Sequence, residues 1–335
     1  MSRPARYPTR SCRSTPSSSP AYGEPEVVGD LVAAMETIEY PREKLQVLLL
    51  LEEDDEPTIE AARDVEKTGI VTVVLTPPPA QPRTKPKACN YGMHFATGDI
   101  VTIFDAEDKP EPLQLRRAVY VLNNTDDESV VCVQGELSFH NVRENLLTEW
   151  FTADYGIWFG FLLPGMMVSR APIPLGGTSN HFKRDVLDKI GGAWDPFNVT
   201  EDADLGVRIA DHGYRTVVLD SVTMEEANVD AINWVRQRSR WYKGYMQTWL
   251  VHMRHPVKLW EILGPVAFAR FTLLIAGTPG DRLPEHGVLA DPGVVDRRPA
   301  ADRRRAVPGA DLLPGAGVDD PRQRRRDLHE PDRDP

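Results

Sequence analysis

Acidic side chains cluster at two places in the chain of 335 residues where they could bind a cation. One run is Asp-Ala-Glu-Asp, from Asp105 to Asp108, and the other is five consecutive acidic residues at 52–56. Carboxylates crowded in this way repel one another unless a cation or hydrogen-bond donors compensate. Oxygen ligands on a short loop suit Mg²⁺ or Mn²⁺, which would bridge to a substrate diphosphate. The alternative for both runs is a solvated acidic turn, and at 52–56 that alternative is favoured.

A third acidic site is the Thr-Glu-Asp sequence at 200–202. Thr200 is a good N-cap residue, and the helix it begins is predicted to reach His212, with Gly213 as its terminator. Asp202 then lies in the first turn, where the helix dipole stabilises an ionised carboxylate. Such a carboxylate could act as a general base, whereas most acids in a capping turn are structural.

A basic and aromatic motif, Gln-Arg-Ser-Arg-Trp, occupies 237–241 within a predicted amphipathic helix from Asp230 to Met253. Positions 237, 240, 241 and 244 share one face of that helix. An Arg beside a Trp can hold a phosphate with its planar fork and offer a ring on which a sugar stacks. The alternative is a surface Arg above a core Trp. Gly244, one turn further on, would allow another element to approach closely.

Composition limits the classes of function. The chain has 50 acidic and 39 basic residues, a formal net charge of −11, which argues against a protein that binds nucleic-acid backbones. Cys12, Cys89 and Cys132 are too widely spaced for a disulfide framework or a zinc site, and they suggest a reducing compartment. No stretch reaches the roughly 18 apolar residues of a membrane-spanning helix, and no signal peptide is visible. A soluble or peripheral globular protein is expected.

The elements that must position these residues follow an alternating α/β pattern. A helix is predicted over 24–40 from its apolar face, and continuous apolar runs predict buried strands at 47–51, 70–75, 100–104 and 130–133. This alternation predicts a mostly parallel sheet with helices on both faces. Ligands bind at the carboxyl ends of strands in such sheets, and the acidic runs directly follow two of the predicted strands.

Five short motifs occur in an order that resembles the processive, inverting family 2 glycosyltransferases, the group of cellulose and hyaluronan synthases. The motifs lie at 20–24, 87–90, 105–107, 200–202 and 237–241, and the similarity covers roughly 20 to 255. The resemblance implies a GT-A fold, which is a Rossmann-like α/β fold. It also implies a nucleotide-diphospho-sugar donor such as a UDP-sugar, a divalent Mg²⁺ or Mn²⁺, and a glycan or lipid-linked acceptor of polysaccharide biosynthesis.

The resemblance also implies roles for individual residues. Asp105 and Glu107 would hold the metal, although Glu107 has a longer side chain than the family's Asp. Asp202 would be the general base, beside Glu201, for an in-line attack that inverts the sugar carbon. The nucleotide would be bound by Tyr22, Glu24, Glu53, Lys87 and Asp105. The diphosphate and the acceptor would be bound by Gln237, Arg240, Trp241, Thr178, Asn180 and His181. The last three belong to an acceptor-side loop at 176–181, for which a plain Gly-rich turn before a helix is the alternative.

Both ends of the chain depart from the family pattern. Residues 1–19 are expected to be disordered or aberrant, because Pro and Ser stand where the family has its first strand. The catalytic domain would cover 20–255. Residues 256–277 would form an amphipathic interfacial segment that could meet the cytoplasmic surface of a membrane. Residues 278–335, rich in Arg, Pro and Asp, are expected to be disordered. Out-of-frame translation would explain this tail and Thr9–Ser19, and the alternative is an ordinary disordered tail.

Three classes of function fit these motifs to different degrees. A metal-dependent inverting glycosyltransferase leads. A non-catalytic remnant of such an enzyme would bind nucleotide without turnover, and truncation makes this alternative relevant. A glycoside hydrolase could use Asp105 and Asp202 as an acid/base pair, but Lys87 and Arg240 would then have no role.

Overall fold

The computed structural model describes residues 14–18, 25, 27–67, 69–76 and 84–290. Side chains are described for 25, 28–67, 69–76 and 84–277. Two compact units divide the chain, Met1–Leu283 and Pro284–Pro335, and the elements that form the site belong to the first. Tyr22 and Glu24, expected at the nucleotide, lie outside the described residues. Residues 291–335 of the predicted C-terminal tail also lie outside the described residues.

The described strands form one mixed sheet in the order β3-β2-β1-β4-β7-β6-β8-β5. They are β1 Ser14–Ser18, β2 Val47–Glu52, β3 Val71–Thr76, β4 Ile100–Phe104, β5 Lys109–Pro110, β6 Val130–Phe139, β7 Asn180–Lys183 and β8 Arg215–Glu225. Strands β3, β2, β1 and β4 are parallel to one another, as are β6 and β8. Strand β7 is antiparallel to β4 and β6, and β5 is antiparallel to β8. The predicted mostly parallel α/β sheet is confirmed.

The sheet separates two apolar layers because its central strands are buried on both faces. Leu48 and Leu50 of β2 pack into one core cluster, and Leu49 and Leu51 pack into the other. Successive side chains of a strand point to opposite faces, so a continuous apolar run supplies both layers. This is the physical reason that the apolar runs in β2, β4 and β6 are strands. The run at 70–75 is also a strand, but β3 lies at the edge of the described sheet and exposes Thr72, so it is not buried on both faces as predicted.

Strand β1 corrects the expectation for the N-terminal segment at Ser14–Ser18. This short strand lies in the middle of the sheet, parallel to β2 and β4, and Pro16 lies opposite Thr102. Two buried strands on either side present unpaired backbone groups, and an extended chain of any composition can pair with them. Pro16 removes only one donor from this ladder. The other residues of 1–19 lie outside the described residues.

The described helices pack on both faces of the sheet. They are α1 Val27–Thr37, α2 Glu56–Glu66, α3 Lys85–Gly92, α4 Gln114–Asn124, α5 Leu146–Ile157, α6 Leu163–Val168, α7 Arg184–Lys189, α8 Glu201–Asp211, α9 Ala231–His252 and α10 Pro256–Ala290. A 3₁₀ turn precedes β2, and a π-helical segment, Trp158–Leu162, joins α5 to α6. Helices α1, α8 and α9 match the three predicted helices.

Helix α10 corrects the expectation that no segment is long enough to span a membrane. Among the described residues it is the one helix that qualifies, over Pro256–Gly277, with a mean hydropathy of 1.5. Only 22% of its apolar window is buried. Gly264, at φ 75°, kinks the helix. Pro265 follows the kink and is compatible with the first turn of the second helical part, because its missing backbone N–H has no partner there. The proline therefore does not end the apolar segment.

Candidate active site

A cleft of about 550 Å³ opens where β4, β6 and β8 end, and it collects most of the sequence-predicted site residues. The residues it brings together are Asp105, Glu107, Thr178, Glu201, Asp202, Gln237, Arg240 and Trp241. They come from distant segments of the chain. The convergence follows from the topology, because the carboxyl ends of parallel strands meet at one edge of a sheet.

A buried lysine faces the first of the predicted metal ligands. Lys85 forms an ion pair with Asp105, and its Nζ donates a hydrogen bond to the carbonyl oxygen of Gly177 at 2.7 Å. Burial acts to lower the pKa of Lys85, but the charge of Asp105 raises that pKa above its ordinary value. The ammonium group therefore stays charged inside the cleft.

Sequence reasoning missed Lys85 and chose Lys87, which does not line the cleft. Helix α3 begins at Lys85 and buries Ala88, Cys89 and Gly92. These positions follow Lys85 at i+3, i+4 and i+7, so they share its face of the helix. Lys87 lies on a different face. The spacing of these three small residues from Lys85 was the sequence signal that could have identified Lys85 as the residue facing the cleft.

Asp108 joins the loop after β4 to the loop before β7, a role that sequence reasoning also missed. Its Oδ2 accepts hydrogen bonds from the backbone N–H of Asp105 and from the hydroxyl of Thr178. Burial and the nearby charge of Asp105 raise the pKa of Asp108 to about 8. The loop after β4 and the loop before β7 are therefore held together by one buried carboxyl group.

The donor set of the cleft suits a hard divalent cation. Glu107 and Glu225 line the cleft with Asp105. Burial, followed by the charges of Asp108, Asp105 and Glu107, raises the pKa of Glu225 well above its ordinary value. Among the described residues no three acidic, His or Cys side chains are grouped so that they could hold a metal ion by themselves. A divalent cation bound by Asp105 or Glu107 would therefore need further oxygen ligands from a substrate or from water.

The predicted base lies at the start of α8. Asp202 accepts a hydrogen bond from the backbone N–H of Ala203 at 2.8 Å, and burial raises the pKa of Asp202 to about 6. Burial and the charge of Asp202 raise the pKa of Glu201 to about 8. A carboxylate with a pKa near 6 is still mostly ionised at neutral pH and is a stronger base than a free Asp.

Thr200 is the N-cap of α8 by position, as predicted, but its hydroxyl makes no capping hydrogen bond. Its side chain packs instead against Gly244 of α9, where an added Cβ would overlap it. The close approach expected at Gly244 is therefore the contact between α9 and the start of α8. This contact sets the distance between Asp202 and the Gln-Arg-Ser-Arg-Trp motif.

Trp241 belongs to an aromatic cluster at the far end of the cleft. Its ring centroid lies 6.0 Å from that of Phe151 and 6.5 Å from that of Tyr155. Arg238 lies 4.9 Å from the ring centroids of Phe151 and Trp241, and it forms an ion pair with Asp154 of α5. Sequence reasoning gave Arg238 no role, although its spacing of i−3 from Trp241 predicts the contact.

Of the predicted residues that the structure describes, four do not line the cleft: Glu53, Lys87, Asn180 and His181. Asn180 and His181 lie in β7 and are buried, and the Nδ1 of His181 lies 2.8 Å from the hydroxyl of Thr102. Burial lowers the pKa of His181 to about 3, so this ring is neutral. Glu53 is exposed, whereas its neighbour Glu52 is buried with one oxygen unpaired in the described structure. Of the predicted loop at 176–181, Gly176, Gly177 and Thr178 line the cleft.

Comparison with known proteins places these observations in a family. The profile named Glycosyltransferase like family 2 matches residues 20–244. Probable glycosyltransferase YdaM of Bacillus subtilis (strain 168) is 29% identical over 232 residues, which cover 67% of this chain and 53% of that protein. Probable glucomannan 4-beta-mannosyltransferase 1 of Arabidopsis thaliana is 26% identical over 249 residues, covering 67% and 41%. The chain spans about half the length of the curated relatives it matches.

A solved structure shares the fold. The mannosyltransferase PcManGT from Pyrobaculum calidifontis, in complex with GDP-Man and Mn2+, superimposes with a TM-score of 0.61 at 24% identity. The match covers 84% of this chain and 79% of that one. The expected α/β GT-A fold is therefore confirmed.

Proposed function

This chain belongs to Glycosyltransferase like family 2, and on that premise we propose that it transfers a sugar from a nucleotide-diphospho-sugar to an acceptor hydroxyl, inverting the sugar carbon. The observation that carries the proposal is the single cleft that Asp105, Glu107, Asp202 and Arg240 share. This cleft brings together two carboxylates that could hold a metal ion, a carboxylate that could act as a base, and a positively charged side chain. A cleft of about 550 Å³ also has room for a diphosphate and a sugar.

Asp202 would take the proton of the acceptor hydroxyl. The acceptor oxygen then forms a bond to the anomeric carbon from the face opposite the diphosphate, and the bond from that carbon to the phosphate oxygen breaks. The nucleoside diphosphate leaves with the electron pair, and the single displacement inverts the carbon. The raised pKa of Asp202, about 6, matches this role because the group is ionised before the reaction and able to hold the proton after it.

Lys85 and Arg240 would stabilise the negative charge that grows on the leaving diphosphate. Both line the cleft, and Lys85 is held beside Asp105 before any substrate arrives. Because the ion pair with Asp105 keeps the ammonium group charged, no proton has to move when the donor binds. Sequence reasoning assigned this contact to Lys87, and the proposal transfers it to Lys85.

Asp105 and Glu107 would hold the divalent cation, Mg²⁺ or Mn²⁺, which would neutralise diphosphate charge when bound. The crowded carboxylates of the cleft support this assignment, as does the Mn2+ in the structure of PcManGT. Asp108 would keep Asp105 in place by accepting a hydrogen bond from the backbone N–H of Asp105.

The acceptor would be a sugar ring at the aromatic end of the cleft, next to Trp241, Phe151 and Tyr155. Aromatic faces bind the apolar side of a sugar, and Gln237 adds a buried amide oxygen that is unpaired in the described structure. A glycan acceptor and a UDP-sugar donor are proposed, with a GDP-sugar as the second candidate because PcManGT was solved with GDP-Man. Helix α10 would rest on the cytoplasmic surface of a membrane.

Calorimetry of the full chain with UDP- and GDP-sugars, each with and without Mn²⁺, tests the proposal together with release of nucleoside diphosphate. We expect donor binding that strengthens with Mn²⁺ and turnover that needs an acceptor. Binding without turnover would support the non-catalytic remnant. Hydrolysis of a glycan without any nucleotide would support a hydrolase, and either result would overturn the proposal.

A further inference from the structure

Arg238 differs from the other Lys and Arg residues of helix α9 in its burial. Arg236, Arg240 and Lys243 are exposed, whereas only 19% of the Arg238 side chain is accessible to solvent. The Nε atom of Arg238 is buried and has no hydrogen-bond partner among the described residues. A charged group that leaves water in this way is stable only where neighbouring groups compensate for the lost hydration.

Three aromatic rings surround the guanidinium group of Arg238. Its central carbon lies 4.9 Å from the ring centroids of Phe151 and Trp241 and 5.4 Å from that of Trp234. Aromatic faces attract cations within about 6 Å, and a planar guanidinium can stack on them. Trp234 and Trp241 lie four residues before and three residues after Arg238, so the three share one face of α9. Arg238 therefore links two tryptophans of α9 to Phe151 of α5.

A carboxylate on α5 limits the orientation of the guanidinium group. Arg238 donates a hydrogen bond from Nη2 to Asp154, and the two side chains form an ion pair. Asp154 is 51% exposed, and an ion pair at such exposure adds little stability by itself. Its consequence is geometric, because it joins α5 to α9 beside the contact with Phe151. It also neutralises the charge of Arg238, which makes this residue a poor partner for the diphosphate of a donor.

The two rings that Arg238 bridges are held to different degrees. Phe151 is 2% exposed and stacks on Phe139 of β6, with ring centroids 4.8 Å apart, so the core fixes it. Trp241 is half-buried and lines the cleft, and its ring centroid lies 6.0 Å from that of Phe151. A ring that is fixed before its ligand arrives binds more tightly than a mobile one. Arg238 contacts both rings, so it can transmit the fixed position of Phe151 to Trp241.

We propose that Arg238 is a positioning residue, which holds the Trp241 ring against α5 in the orientation that receives the acceptor sugar. Asp154 orients the guanidinium group for this task. The part played by the acceptor rests on the proposed function, whereas the hold on Trp241 does not. Because a positioning residue acts before the acceptor binds, its loss weakens acceptor binding and leaves the donor site unchanged.

Fluorine NMR of the full chain labelled with 5-fluorotryptophan tests the hold on Trp241 without any substrate. Trp241→Phe identifies the Trp241 signal among those of the seven tryptophans. In Arg238→Gln we expect the transverse relaxation rate of this signal to rise about threefold, because the released ring exchanges between orientations. The matched control is Arg236→Gln on the same helix, where the arginine is exposed and does not line the cleft. It should leave the relaxation rate unchanged.

Steady-state kinetics with cellotetraose and mannotetraose as acceptors measure the consequence for the acceptor. Arg238→Gln should raise the acceptor KM about tenfold, with kcat and the donor Kd within about twofold of the wild type. Asp154→Asn should raise the acceptor KM about threefold and add nothing to Arg238→Gln in the double variant, since both act through one contact. Arg238→Lys keeps the charge but not the plane, so its acceptor KM should stay close to that of Arg238→Gln.

Two results would overturn the proposal. One is a relaxation rate for Trp241 in Arg238→Gln equal to that of the wild type, and the other is a loss of donor affinity as large as the rise in acceptor KM. If thermal unfolding shows that Arg238→Gln does not fold, Arg238→Lys and Asp154→Asn carry both measurements. A wild-type chain that transfers sugar to neither tetrasaccharide would contradict the proposed glycan acceptor, and the relaxation rates would still decide whether Arg238 holds Trp241.

Discussion

Helix α9 and the segment around β7 flank the cleft, and they differ in how many of their predicted site residues line it. On α9 the residues chosen by helical spacing, Gln237, Arg240 and Trp241, all line the cleft. Around β7 the chosen residues divide, because Thr178 lines the cleft while Asn180 and His181 are buried in the sheet. A helix presents one face to its partner, so spacing predicts which residues share that face. A central strand is buried on both faces, so polar residues in it can belong to the core.

The largest effect is expected at the start of α8, on the same side of the cleft as α9. Asp202→Asn should lower turnover by about 10²–10⁴-fold, because the amide cannot accept the acceptor proton. Donor affinity, measured by calorimetry, should change little. Turnover at the wild-type rate would show that another group is the base and would remove the functional reason for the α8–α9 contact.

Lys85 and Lys87 give a direct comparison within one helix. Lys85→Met should lower turnover about 10²-fold, since a cation beside the diphosphate is lost, and Lys87→Met should change it less than twofold. Steady-state kinetics on the two variants, with the same donor, measure the difference. Equal losses would mean that the face of α3 observed in the structure is not the functional one.

The pH dependence of turnover should report the base. The raised pKa of Asp202, about 6, means that the carboxylate is ionised above this pH and protonated below it. The base works only when ionised, so kcat should rise about tenfold per pH unit up to about pH 6 and then level off. The same profile for Asp202→Asn should lack this limb.

The contact between Gly244 and Thr200 predicts a loss of stability. Gly244→Ala should lower the free energy of unfolding by about 1–3 kcal/mol, because the methyl group overlaps the Thr200 side chain. Gly156→Ala is the matched control, since a Cβ at Gly156 meets no atom within 4 Å and Ala favours a helix. Denaturant unfolding of both variants measures the difference.

The smallest effect on turnover is expected in β7. His181→Gln should lower the free energy of unfolding by about 1–3 kcal/mol, because the ring and its Thr102 partner are buried. Turnover per folded molecule should stay within twofold. A large rise in the acceptor KM for His181→Gln would contradict this prediction, because it would show that β7 as well as α9 affects acceptor binding.

Several parts of the fold could be predicted from the sequence because they depend on local patterns. The apolar runs at β2 and β4 predicted buried strands, and the periodicity of α9 predicted a helix at the observed position. The acids after β4 could be placed at the ligand-binding edge by topology alone. Strand β1 could not be predicted, because Ser14–Ser18 has no apolar pattern and its pairing depends on β2 and β4.

The order of the motifs, the periodicity of the helices that carry them and the charge of each segment follow from the amino-acid sequence, since these depend only on neighbours along the chain. Three facts emerge only from the folded chain: which lysine faces Asp105, that Asp108 joins two loops and that His181 is a core residue. Those facts depend on contacts between residues distant in sequence, and the free energy of such contacts comes from burial, which no local pattern records.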